Sequence, residues 1–133
     1  MKGGMRVPRT LCVILRKPPY GSLDAAEAIR HLSGALTNGL CPVGLLVDDG
    51  VYLAKAGHQA AGGWTDLSGA LGDLLAQTAT DLDGGVRRAT LYVHGPSLTT
   101  RGLDAADLLP GCHLVDETEA AAVVGRANAT LVY

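Results

Sequence analysis

The residues able to do chemistry are few and scattered. Three cysteines, Cys12, Cys41 and Cys112, stand at wide and irregular spacing, with no CxxC pair of the kind that holds zinc or cycles as a dithiol. Their odd number argues against a disulfide framework. The four histidines, His31, His58, His94 and His113, are as dispersed, and none belongs to an HExxH pattern. No metal site is legible and no cofactor is implied. Three local constellations remain. Cys112 is followed by His113, whose imidazolium is expected to lower the thiol pKa, which makes Cys112 the candidate thiol. Asp48 and Asp49 stand together ahead of Gly50; such a pair can hold a cation or act as acid and base, although a turn with a helix cap is the simpler reading. His94 has Ser97 three residues on, a spacing that invites nucleophilic catalysis but displays neither an orienting group for the base nor an oxyanion site.

The elements that must position these residues follow from periodicity and punctuation. Thr10 to Arg16 is a continuous apolar run rich in β-formers, as expected of a strand buried on both faces. Lys17-Pro18-Pro19-Tyr20-Gly21 breaks it. Ser22 is placed to cap a helix with Leu23, Ala26, Ile29, Leu32 and Leu36 at helical spacing, stopped by Asn38-Gly39. Pro42 to Val47 reads as a second strand and Val51 to Ala54 as a short helix or turn. After the glycine-rich stretch from Gly57 to Trp64, a helix opening at Thr65 or Asp66 carries Leu67, Leu71, Leu74, Leu75 and Thr78 on one face and is expected to run to Gly84-Gly85. Ala89 to Val93 reads as the third strand, Ser97 to Leu109 as a loop with a short helical turn, and Cys112 to Val115 as the fourth strand. Asp116 with Glu119 three residues on forms a capping box for a helix through Arg126. Thr130 to Tyr133 closes the chain as a fifth strand.

Strands alternating with helices predict a three-layer α/β domain around a five-stranded, mostly parallel sheet with right-handed crossovers. The flavodoxin-like strand order 2-1-3-4-5 is the default at this size. Ligands of such sheets bind beyond the carboxyl ends of the strands, which selects Tyr20, Asp48, Asp49, His94 and Ser97 as binding residues. Cys12 falls inside a strand, and Cys41 and Cys112 at strand entrances, away from that edge. Trp64 in its glycine-rich loop is the expected interface anchor.

A chain of 133 residues has room for one such domain, which excludes two-domain enzymes. We read residues 1–9 as a basic tail and 10–133 as the domain. With 11 basic against 13 acidic side chains, no global field favours a polyanion, so direct nucleic-acid binding is not expected. No apolar run is long enough for a membrane span or a secretion signal, and the expected location is the cytoplasm. The loop after the first strand has one glycine and two prolines, which lack N–H donors, so a phosphate-binding loop is absent. A receiver domain is excluded too, because His94 stands where its acceptor aspartate would be.

The run Pro19-Tyr20-Gly21-Ser22 opening a helix with Ala25, Glu27 and Ala28, followed by Asp49-Gly50-Val51-Tyr52-Leu53 after a strand, resembles the DsrE/DsrF-like (TusD/TusC) sulfur-relay family. Ser97 to Leu103, then Leu114-Val115-Asp116 and Thr130 to Tyr133, resemble its DsrF/TusC branch. The resemblance spans nearly the whole chain from Leu11. It implies a five-stranded α/β (DsrEFH-like) fold and assembly as homo-trimers or hexamers, or as hetero-oligomers with DsrE/DsrH-like subunits. It also implies a sulfur-carrier protein as partner. Sulfur-carrying subunits of the family bear a persulfide cysteine at the end of the strand before the Arg-Gly segment. Counting back from Arg101-Gly102, that place is His94, and imidazole cannot hold a sulfane sulfur as a persulfide. The expectation is therefore an accessory, noncatalytic subunit of a sulfur relay serving tRNA thiolation or other sulfur metabolism. The alternative is a sulfurtransferase or persulfide carrier that uses Cys112 or a partner's thiol.

Overall fold

A computed structural model describes residues 8–58 and 65–133. Most of the basic tail, residues 1–7, and the expected interface anchor Trp64 lie outside those residues. Five strands, β1 (Thr10–Leu15), β2 (Cys41–Leu46), β5 (Thr90–His94), β6 (Cys112–Val115) and β7 (Ala129–Val132), form one sheet, and every pairing in it is parallel. A two-stranded antiparallel hairpin, β3 (Ala79–Thr80) with β4 (Val86–Arg87), stands apart. The helices are α1 (Asp24–Thr37), α2 (Leu67–Ala76), α3 (Gly95–Thr100) and α4 (Glu117–Arg126), and Asp48–Ala54 is a 3-10 segment.

The three-layer parallel architecture is as expected. The strand order is β6-β5-β2-β1-β7. Counted along the chain this is 4-3-2-1-5, so the second strand lies between the first and third instead of outside the first. The side chains show why. Pro42, Gly44, Leu45 and Leu46 of β2 are all buried, as a central strand requires, whereas all four residues of β7 are exposed, as an edge strand allows. Three successive right-handed crossovers step the same way and place α1, α2 and α3 on one face. There Leu32, Leu71, Leu74 and Leu98 pack with Val13, Leu15, Leu91 and Val93. The last crossover runs back across the sheet and so lies on the other face, where Ala120 and Val123 of α4 cover Cys12, Leu45 and Val115.

Local sequence accounts for most boundaries. Asp66 caps α2, its Oδ1 accepting the Ser68 and Gly69 amides at 3.0 and 3.2 Å. Asp116 and Glu119 form the expected reciprocal box, at 2.8 and 3.1 Å. Ser22 is not the cap of α1; Leu23 holds that position, exposed, and Ser22 Oγ accepts the Asp24 amide from outside the helix. The buried face of α1 is Ala25, Ala28, Leu32, Ala35 and Leu36. The second long helix ends at Ala76, well before Gly84, and the intervening residues form the hairpin. No helix among the described residues is long and apolar enough to cross a membrane.

Candidate functional site

In an open parallel sheet the crevice opens between neighbouring strands whose following connections leave to opposite faces. In this strand order that place lies between β5 and β6, since the chain leaves β5 toward the α1/α2 face and β6 toward the α4 face. His94 ends β5, and Asp116 and Glu117 follow β6 directly. A cavity of about 320 Å³ lies beside that place, on the α4 face over the ends of β2 and β5. Leu45, Val47 and Asp48 form one wall, Ala120, Ala121 and Val124 of α4 another, and His94 with Glu117 complete the lining.

Each polar group is held by a neighbouring element. α3 starts beside β6, where an added Cβ on Gly95 would meet the Val115 carbonyl oxygen at an ordinary van der Waals distance of 3.4 Å. Two residues later Ser97 is 5% exposed, with its Oγ 2.6 Å from His94 Nδ1. The same oxygen accepts the Asp48 amide at 2.9 Å. Asp48 adopts a left-handed backbone, φ 50°, a conformation that Asp tolerates better than most side chains. On the other side of the ring, His94 Nε2 lies 2.5 Å from Glu117 Oε1. Asp49 sits alongside and accepts from Arg101 Nε at 2.9 Å, while Arg101 Nη1 donates to the Ser97 carbonyl at 3.2 Å.

These contacts decide the proton arrangement. With the ring neutral, Ser97 donates its hydroxyl proton to Nδ1 and Nε2–H points at the Glu117 carboxylate. With the ring protonated, Nδ1–H donates to Ser97 Oγ and Nε2–H remains on Glu117. Either way both ring nitrogens are engaged. The side chain of His94 is 13% exposed and that of Glu117 is 79% exposed, so the carboxylate is the member that can swing away and yield Nε2 to a ligand. The order Ser97, His94, Glu117 supplies the orienting acid that the sequence did not display, but Ser97 is buried and its Oγ is committed to Asp48 and His94. It positions the imidazole and is not an exposed nucleophile.

The crevice thus gathers Asp48, His94 and Ser97, with Asp49 at its margin. Tyr20 is not with them; it lines a second cavity beside Tyr52 and His58. Glu117 escaped the sequence reading, where it was only the first turn of a helix. The Asp116/Glu119 box did carry the signal, because it places Glu117 at the helix start, at the carboxyl edge of the strand next to His94.

Cys12 and Cys112 both have thiols pushed up by burial, and Cys112 reaches about 11 from an ordinary 9.0. The expected lowering by His113 fails because neighbouring strand residues face opposite sides of the sheet. Cys112 packs toward the α1/α2 core, whereas His113 lies against the Tyr92 ring at 5.8 Å. At neutral pH the Cys112 thiolate fraction is then about a hundredfold below that of an ordinary thiol. Iodoacetamide should alkylate Cys112 about a hundredfold more slowly than it alkylates free cysteine at pH 7.5; equal rates would contradict the buried placement. A thiol whose pKa is raised on folding contributes stability that is complete below its ordinary pKa and lost as the pH climbs through the folded one. For Cys112 that window runs from 9.0 to about 11. Among the described residues, no three His, Cys, Asp or Glu side chains come together as a metal site.

No family model matches the sequence, and no curated protein does. Solved structures do match. The ychN protein from E. coli superposes with a TM-score of 0.76 at 19% identity, over 96% of this chain and 100% of that one. A protein of unknown function from Methanobacterium thermoautotrophicum, MTH1491, superposes with a TM-score of 0.63 at 18% identity, over 96% of this chain and 100% of that one. Over nearly its whole length, this chain has the fold of the E. coli ychN protein.

Proposed function

We propose that this chain is an accessory, noncatalytic subunit of a DsrE/F-like intracellular sulfur relay. In this reading it assembles with copies of itself or with DsrE/DsrH-like subunits in the cytoplasm, and it meets a sulfur-carrier protein at the carboxyl edge of its sheet. The motif resemblance supports the relay, and the shared fold is compatible with it. One observation carries the accessory role. Where the resemblance places a persulfide cysteine, at the end of β5, stands His94 with both ring nitrogens engaged. The three cysteines lie in β1 and at the entrances of β2 and β6, away from that edge.

Intact-mass spectrometry after incubation with inorganic polysulfide tests this. The wild-type chain should keep its mass, and His94→Cys, which puts a thiol at the end of β5, should gain one sulfur atom. A sulfur added to the wild type and lost in Cys112→Ser would replace the accessory reading with the sulfurtransferase one. Sedimentation should show a trimer, a hexamer or a mixed assembly with a DsrE/DsrH-like subunit; a chain monomeric alone and with such a subunit would contradict the proposed assembly.

A further inference from the structure

We propose that the chain carries a second ligand site, separate from the His94 crevice, that takes a small, flat, apolar anion between the loop after β1 and the 3-10 segment. The cavity there measures about 300 Å³ and is lined by Pro18, Pro19, Tyr20, Tyr52, Lys55 and His58. It shares no residue with the crevice. That volume lies at the small end of the range for ligand pockets, about 300–1,000 Å³, which suits one ring or two fused rings.

The composition makes this lining unusual. The chain has no Phe, one Trp and four Tyr, yet two of those tyrosines meet here beside two consecutive prolines. The walls are built in advance. The Tyr52 carbonyl can only accept, so His58 Nε2 carries the proton of their 2.8 Å bond and Nδ1 is left to accept from Tyr20 Oη at 3.1 Å. Tyr20 Oη in turn accepts the Leu67 amide at 3.2 Å. The two rings stand edge to face at 5.5 Å. With these polar atoms turned to one another, the rings present an almost wholly carbon surface to the cavity, and little side-chain freedom is left to lose when a ligand enters.

Lys55 supplies the charge. It is half-buried, its backbone is fixed by a hydrogen bond from its amide to the Tyr52 carbonyl and a bridge to Leu108, and among the described residues its ammonium has no ion-pair or hydrogen-bond partner. No acidic side chain lines the cavity. Lys55 lines the cavity, and a cation at the edge of an apolar pocket favours a ligand that brings the missing carboxylate and disfavours one that brings a second cation. Tyr52 and the prolines favour a planar apolar body on the other end.

Titration calorimetry with indole-3-acetate, indole and tryptamine tests the site, supported by heteronuclear NMR to place the binding. Indole-3-acetate should bind about tenfold more tightly than indole, and tryptamine more weakly than indole; Lys55→Met should reduce the affinity for the acid about tenfold, to that of indole, leaving indole unchanged. Tyr52→Ala should weaken all three. Amide shifts should centre on residues 52–58 and spare His94. Equal affinities for the acid and the amine, a Lys55→Met chain that binds the acid as the wild type does, shifts centred on His94, or no binding at all would each overturn the proposal.

Discussion

Gly50→Ala is expected to destabilise the fold by about 3 kcal/mol, lowering the melting temperature by roughly 10 °C. A Cβ on Gly50 would stand 2.0 Å from the Leu15 carbonyl oxygen and 2.7 Å from its carbonyl carbon. Both atoms are backbone at the end of β1, and that oxygen also accepts the Val47 amide at 3.0 Å, so no rotamer change relieves the clash. The 3-10 segment must lift off the sheet. Because Asp48 lies two residues earlier and donates its amide to Ser97, lifting the segment also strips Ser97 of a hydrogen bond and frees His94 to turn. A change at a residue that touches no part of the crevice should therefore alter the NMR shifts of the His94 ring. Gly72→Ala in α2 is the contrast. Nothing lies within 4 Å of a Cβ there, and a helical glycine replaced by alanine is expected to stabilise by about 0.5–1 kcal/mol. Thermal unfolding of the two variants decides the matter: an unchanged melting temperature for Gly50→Ala would mean that the approach of the 3-10 segment to β1 is not as close as described.

The second large effect is expected at Arg87. Its side chain is 11% exposed and donates through Nε to Asp81 at 2.7 Å. Through Nη1 it donates to the Leu36 carbonyl at 3.2 Å and to the Leu40 carbonyl. The last turn of α1 contains no basic residue, so this guanidinium, reaching in from the hairpin, is the cation that meets the negative end of the helix. Two-residue strands do not hold a hairpin together unaided, and the same contacts anchor β3 and β4 to the domain. Arg87→Met keeps the apolar stem and removes every donor. Breaking a buried pair costs about 3–5 kcal/mol. Asp81 is 31% exposed and recovers some hydration, which brings the expected loss to about 2–3 kcal/mol. Denaturant unfolding measures it, and hydrogen exchange should show the amides of residues 79–87 losing protection first. Arg87→Lys should recover only part, since an ammonium lacks the planar fork that serves a carboxylate and two carbonyls at once. A loss below about 0.5 kcal/mol for Arg87→Met would class the cluster with ordinary surface pairs.

Neither effect is legible in the sequence, whereas α4 is legible from end to end. Asp116 and Glu119 lie three residues apart and satisfy each other's amides, so the start of the helix is a local event that local sequence can announce. The apolar runs behave the same way: β1 and β2 are legible because burial on both faces demands continuous hydrophobic stretches. Where two local outcomes compete, the reading slips. Thr78-Ala79-Thr80 follows an apolar helical face and reads as its continuation, but the turn chemistry of Asp83, Gly84 and Gly85 closes a hairpin, with Gly84 at φ 88°.

The chain's own residues, taken in order, thus settle the class of fold, the five sheet strands, and the loops that bring Asp48, His94 and Ser97 to one edge. Hydrogen bonds within a turn and periodicity within an element depend on neighbours a few residues away, and these are written in the sequence directly. The tertiary structure alone decides that β2 lies between β1 and β5, that the crevice consequently opens between β5 and β6, and that Glu117 meets His94 across 23 residues of chain. Right-handed crossovers permit several strand orders for the same string of elements, and only the packing of whole strands, buried β2 inside and exposed β7 at the edge, selects one of them. The same packing sends Tyr20 away from His94 and into a pocket of its own.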